Sequence, residues 1–137
     1  MALKVRVRVD FDATRAVGPG KIALLERMRD TGSLSQAARE LDMSYRRAWQ
    51  LLDSLNTSFN GPVIVTSIGG KGGGGSEITQ LGLALIDAYR ALEKEMTARA
   101  QEVFKPLRNQ VALPGESTRR RVTKTARGKR GRGSKRT

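Results

Sequence analysis

The chain has 137 residues, with 26 Lys and Arg against 13 Asp and Glu and with no cysteine or histidine. That length fits one domain with an appendage, and the missing Cys and His exclude disulfides, thiol nucleophiles, imidazole acid–base catalysis and zinc ligation by soft or imidazole groups. Apolar runs are far too short for a membrane span, and the start "MALKVRVRVDF" lacks the apolar core of a secretory signal, so a cytoplasmic location without a membrane partner is expected.

The charge is uneven. Ten of the 26 basic residues lie in 119–137, where no acidic residue occurs, leaving 16 basic against 13 acidic in the remainder. A segment so basic and so poor in apolar residues cannot offset its ordering entropy by burial, so 106–137 reads as a disordered basic tail that attracts polyanions.

In chain order, "KVRVRVDF" alternates Val5, Val7, Val9 and Phe11 against Lys4, Arg6 and Arg8. Period two predicts a half-buried strand with a solvated basic face. "VGPGK" breaks it. Ile22, Leu25 and Met28 then share a helical face over 20–31, closed by Gly32. Ser33 caps a short helix whose face is Leu34, Ala37, Ala38 and Leu41, and Ser44 caps the next, which runs to about Phe59. "VIVTS" at 63–67 and "SEITQ" at 76–80 read as strands on either side of "GGKGGGGS". From Leu81 to Phe104 a pattern of four and three steps predicts a helix about 36 Å long, which Pro106 ends.

Strand, three helices, strand, glycine loop, strand, long helix is the order of a winged helix-turn-helix. The joint 41–43 is tight, and Ala38 is small where two helices cross closely. Asp42 stands where a turn wants positive φ, which aspartate tolerates better than most residues. At roughly 100° per residue from Ser44, the residues Ala48, Leu51, Leu52, Leu55 and Phe59 gather into one buried arc. Arg46, Arg47 and Gln50 fall on the open face near the helix start. A recognition helix presents that end to base edges in the major groove, where Arg pairs with guanine and Gln with adenine. Trp49, at the rim of the arc, is expected to pack in the core. Tyr45 divides evenly between packing and reaching a phosphate. Ser33, Ser35 and Gln36 open the preceding helix, whose free N–H groups suit a phosphate, although Ser33 serves equally as a plain cap.

The glycine loop fails the P-loop pattern: Gly72 follows Gly70-Lys71 where Ser or Thr is required, and Val65 stands in place of the first glycine. No helix follows it directly, which excludes a dinucleotide fingerprint. Lying between two strands, it is the tip of a wing. There Lys71, Gly72 and Gly73 approach a DNA backbone without Cβ obstruction. The long helix exceeds what a small core can cover, so Leu85, Tyr89, Leu92, Met96 and Val103 are expected to form a homodimer seam. No nucleophile-and-base pair stands out, so an enzyme is not expected, and neither a cofactor nor a metal site is indicated.

"GSLSQAARELDMSYRRAWQLLDSLN" followed by "GGKGGGGSEITQLG" resembles the N-terminal winged helix-turn-helix domain of the ModE-type, molybdate-dependent transcriptional regulators. More distantly, "SLSQAARELDMS" and "ITQLG" resemble the LysR-type DNA-binding domain. The resemblance implies a dimer with Ser44 to Gln50 in the major groove, DNA contact around Lys71, and dimerisation through the helix from Leu81. Members of that type carry C-terminal molybdate-binding domains, for which the residues after Phe104 leave no room, so oxyanion sensing is expected to need a separate partner.

The expected fold class is therefore mainly α: a winged helix-turn-helix with an N-terminal strand, a β-hairpin wing and a long C-terminal dimerisation helix at 81–104. Residues 1–105 form the DNA-binding domain. The expected function is sequence-specific regulation of transcription on double-stranded DNA. The alternative is an architectural nucleoid protein without a defined operator.

Overall fold

The computed structural model describes residues 3–67 and 75–112, in two compact units that divide after Ala100. The first unit opens with two very short strands, β1 (Val9–Asp10) and β2 (Ala16–Val17), paired antiparallel with Val9 opposite Val17. The expected strand over 4–11 thus shrinks to two residues. Its alternation survives, half-buried against exposed from Leu3 to Asp10, but β2 is too short to extend the ladder, because Pro19 starts a helix two residues beyond it. Phe11 leaves the apolar face. Beyond it the Asp12 carboxylate accepts the backbone N–H groups of Thr14 (2.9 Å) and Arg15 (2.7 Å), which turn the chain and hold the Asp12 pKa down at about 2. Phe11 is left exposed and edge-on to Phe59, 5.7 Å between ring centroids.

Helix α1 (Pro19–Thr31) buries Ile22, Leu24, Leu25 and Met28. It ends where Gly32, at φ 68°, donates its N–H to the Met28 carbonyl, a left-handed cap that glycine adopts without a Cβ penalty. Helix α2 (Leu34–Glu40) is capped by Ser33, whose hydroxyl accepts from Gln36 N at 3.1 Å. The chain then turns at Asp42, φ 54°, the one non-glycine residue in the left-handed region among those described. Met43 N closes the turn on the Ala38 carbonyl at 3.0 Å. Ser44 accepts from Arg47 N at 3.0 Å and starts α3 (Tyr45–Ser58).

Strands β3 (Ile64–Ser67) and β4 (Gly75–Ile78) form an antiparallel hairpin with Ile64 opposite Ile78 and Ser67 opposite Gly75. Its root is tied to α3 and to the end of α1. The Asn56 side chain accepts from Val63 N and Ile64 N and donates to Ile64 O, and Ser76 N donates to Gly32 O at 3.0 Å.

Helix α4 (Gln80–Val103) follows after Thr79. The Thr79 hydroxyl accepts from Gly82 N (3.0 Å) and donates to Pro62 O (2.8 Å). Gly82 lies so close to the hairpin that a Cβ there would press on the Val63 carbonyl and stand 2.6 Å from Ile78 Cγ1. Farther along α4, Arg90 meets Glu26 of α1 through two hydrogen bonds (2.9 and 2.7 Å) and Glu93 through a third (2.6 Å). This clamp lowers the Glu26 pKa, chiefly through the Arg90 hydrogen bonds, and raises that of Arg90 through the same contact. In the second unit, Lys105–Gln110 form a 3-10 helix with Pro106 in its first turn, so the segment expected as tail begins with an ordered turn. The remainder of that expectation, from residue 113, lies outside the described residues.

The fold is mainly helical with two short antiparallel strand pairs, a winged helix-turn-helix with a long C-terminal helix. Its core joins α1, α2, α3, the hairpin root and the first half of α4.

Candidate nucleic-acid interface

Helix α3 is built as its periodicity requires. Ala48, Leu52 and Leu55 are buried, Leu51 and Phe59 half-buried, and Arg46, Arg47 and Gln50 lie exposed within its first two turns. Among the described residues, neither guanidinium is held by a carboxylate. Arginines left without a counter-ion on a helix face keep their donors for an external acceptor.

Trp49 departs from expectation. It is 51% exposed and Tyr45, one turn earlier, 56%. Ala48, Leu52 and Leu55 hold the buried positions of α3, and the indole, at the edge of that arc, falls outside them. Instead the two rings line a cleft of about 370 Å³ with Ser33, Ser35, Thr66 and Ser76. This cleft joins the start of α2, the flank of α3 and the hairpin. Its polar side chains among the described residues are hydroxyls and the Trp49 indole, with no charged group among them.

The remaining expected contacts sort by what already occupies them. Ser33 and Ser44 use hydroxyl lone pairs as caps, which leaves each O–H free to donate outward. Ser35 is exposed. Gln36 is engaged along its own helix, donating to Glu40 (3.2 Å) and accepting from Arg39 (2.6 Å). Lys71, Gly72 and Gly73 lie outside the described residues.

On the other flank, Arg47 lines a second hollow of about 260 Å³ with Arg8, Lys21, Met43 and Leu51. The Lys21 ammonium donates to Ala16 O (2.8 Å) and Ser54 Oγ (2.9 Å). Burial lowers its pKa, and the charges of Arg8 and Arg47 lower it further. Sequence reading assigned Arg8 to a solvated strand face and passed over Lys21. Only the packing of β1 and α1 beside α3 brings the three together.

Along α4, the expected seam divides. Tyr89 is 2% exposed, and its hydroxyl donates to the Val7 carbonyl. Leu85 packs against the same core. Both belong to their own domain, because the first half of α4 covers α1 and the β1 segment. Leu92 is half-buried, whereas Met96 (39%) and Val103 (52%) are exposed. No helix among the described residues is long and apolar enough to cross a membrane.

No known family model matches the chain. Individual proteins do. It is 37% identical over 90 residues to the molybdenum transport protein ModE of Azotobacter vinelandii, covering 66% of this chain and 33% of that one. With the transcriptional regulator ModE of Yersinia pestis it shares 37% over 92 residues, 67% of this chain and 33% of the relative. With the molybdenum-pterin-binding protein MopB of Rhodobacter capsulatus it shares 43% over 77 residues, 56% and 28% of the two chains. The chain thus spans about a third of the length of these relatives. Their names bear out the resemblance to a ModE-type N-terminal domain.

Proposed function

We propose that this chain is a ModE-type regulator of transcription that binds duplex DNA in a sequence-specific way as a homodimer in the cytoplasm, at the nucleoid, and that it is not an enzyme. The observation that supports this most is the open face of α3. Arg46 and Gln50 stand exposed near the start of a capped helix, on a tight helix-turn-helix, beside a hairpin. Such a helix fits the major groove, and these side chains pair with guanine and adenine edges. Ser33, Ser35, Ser44, Tyr45 and the wing about Lys71 hold the backbone. The second half of α4, through Leu92, Met96 and Val103, pairs with a second copy. The basic tail adds affinity that salt releases.

In this reading DNA binding belongs to residues 1–105, and oxyanion sensing to a separate partner rather than to these residues. Selection from a random DNA pool, with and without molybdate, tests it. Enrichment of a two-fold symmetric motif supports the regulator. The ten basic residues of 119–137 favour a second reading, an architectural nucleoid protein, and a pool that binds without enrichment supports that one. A Met96→Glu change is expected to shift the sedimenting species from dimer toward monomer.

A further inference from the structure

We propose that Arg8, Lys21 and Arg47 together clamp one backbone phosphate of duplex DNA, so that Arg47 holds the strand instead of reading a base. This rests on the DNA-binding reading above and sharpens it.

Three cations line one hollow of about 260 Å³, and no carboxylate is among its lining residues. Their charges are poorly cancelled from within. Arg8 donates from Nε to Asp10 at 2.9 Å, but both side chains are largely exposed, 71% and 60%, and its terminal nitrogens remain available. Lys21 is anchored by a backbone carbonyl and a serine hydroxyl, both neutral. That leaves its full charge and one of its three N–H donors. Arg47 meets no carboxylate among the described residues. Like charges gathered in this way repel one another in the free protein: burial is the main cause that lowers the Lys21 pKa, and the charges of Arg8 and Arg47 add to it. An anion seated among them removes the repulsion.

The position of the hollow selects the occupant. Among the described residues, a hollow lies on each flank of α3. The hydroxyl and aromatic cleft, lined by Tyr45 and Trp49, lies on the hairpin side. The basic hollow, lined by Arg47, lies on the β1 and α1 side. An α-helix with its side chains is about 10–12 Å across, close to the roughly 12 Å width of the major groove. A helix filling that groove therefore has a phosphate strand along each flank. Arg46, one residue away and about 100° around the helix, does not line the basic hollow and keeps the groove-facing role.

The test uses the full chain and a mixed-sequence duplex, with affinity measured across a range of salt. The Arg8→Gln/Arg47→Gln double variant is expected to reduce the slope of log affinity against log salt by up to about 0.9, the share of one phosphate, and each single variant by a measurable part of that. Each should also weaken preferred and mixed duplexes by the same factor. Lys94→Gln, an exposed cation on α4, controls for net charge and should leave the slope unchanged. Arg46→Gln should keep most of its affinity for mixed sequence and lose the preference. The clamp is overturned if Arg8→Gln behaves like Lys94→Gln, or if Arg47→Gln loses affinity only on preferred duplexes. Wild-type protein that retains no duplex at low salt removes both the DNA reading and the clamp. Wild-type protein that shows a preference while the two slopes stay fixed removes the clamp alone.

Discussion

Replacing Gly82 by alanine tests how tightly the hairpin root is built into α4. Inside a helix this exchange ordinarily stabilises, by up to about 1 kcal/mol. Here the new methyl would press on the Val63 carbonyl and on Ile78 Cγ1, 2.6 Å away. Neither neighbour yields freely. The carbonyl accepts from Thr79 N at 3.0 Å, Val63 is fully buried, and Ile78 packs against the core. Overpacking a filled site costs about 1–3 kcal/mol, and displacing a bonded carbonyl adds about 0.5–1.5 kcal/mol. Set against the propensity gain, the net expectation is a loss of about 2 kcal/mol, or roughly 10 °C in Tm for a domain of this size. Urea unfolding of Gly82→Ala beside Gly20→Ala reads it directly. Gly20 has open space around its Cβ position, so alanine there should be neutral or stabilise by up to about 1 kcal/mol. A Gly82→Ala protein as stable as wild type would refute the close-packing argument, because the propensity gain would then stand unopposed.

Glu26 titrates below its usual range because Arg90 holds it. A depressed folded pKa means stability that is present above the unfolded value and lost as pH falls through the folded one. Glu26→Gln should therefore cost about 1 kcal/mol near neutrality, limited by the partial exposure of the pair, and flatten the decline of Tm below about pH 5. Asp42→Gly should raise stability by up to about 1 kcal/mol in thermal melts, because the left-handed region burdens any residue with a Cβ, whereas Asp42→Val should lower it. Asn56→Ala leaves the Val63 and Ile64 N–H groups without their side-chain acceptor, with an expected cost of about 1–3 kcal/mol in urea. Trp49→Ala should change stability in urea unfolding by less than about 1 kcal/mol, since half the ring is already in water.

Features decided by neighbouring residues were legible in the sequence. Caps at Ser33 and Ser44, the stop at Gly32 and the positive φ of Asp42 all depend on chemistry within a few residues, and they stand where the pattern put them. The buried arc of α3 followed from the helical repeat alone. Features decided by distant partners were not legible. Alternation at 4–11 announced a face but not the length of the partner strand. Trp49 sits at the edge of its arc, where the neighbours that pack beneath the helix, and not the helical repeat, decide its exposure. Tyr89 matched a seam by spacing, but a carbonyl 82 residues earlier in the chain claims its hydroxyl. The gathering of Lys21 with Arg8 and Arg47 exists only after β1 and α1 pack beside α3.

One hydroxyl gives the fold a mechanical property. Thr79 takes the N–H of Gly82 at the head of α4 and grips the Pro62 and Val63 carbonyls at the foot of the hairpin. Helix and hairpin are thereby keyed together, as a rudder blade is to its stock. Twist applied along the helix is delivered to the blade instead of being absorbed in a loose joint. Whatever sets the pitch of that helix also steers the hairpin.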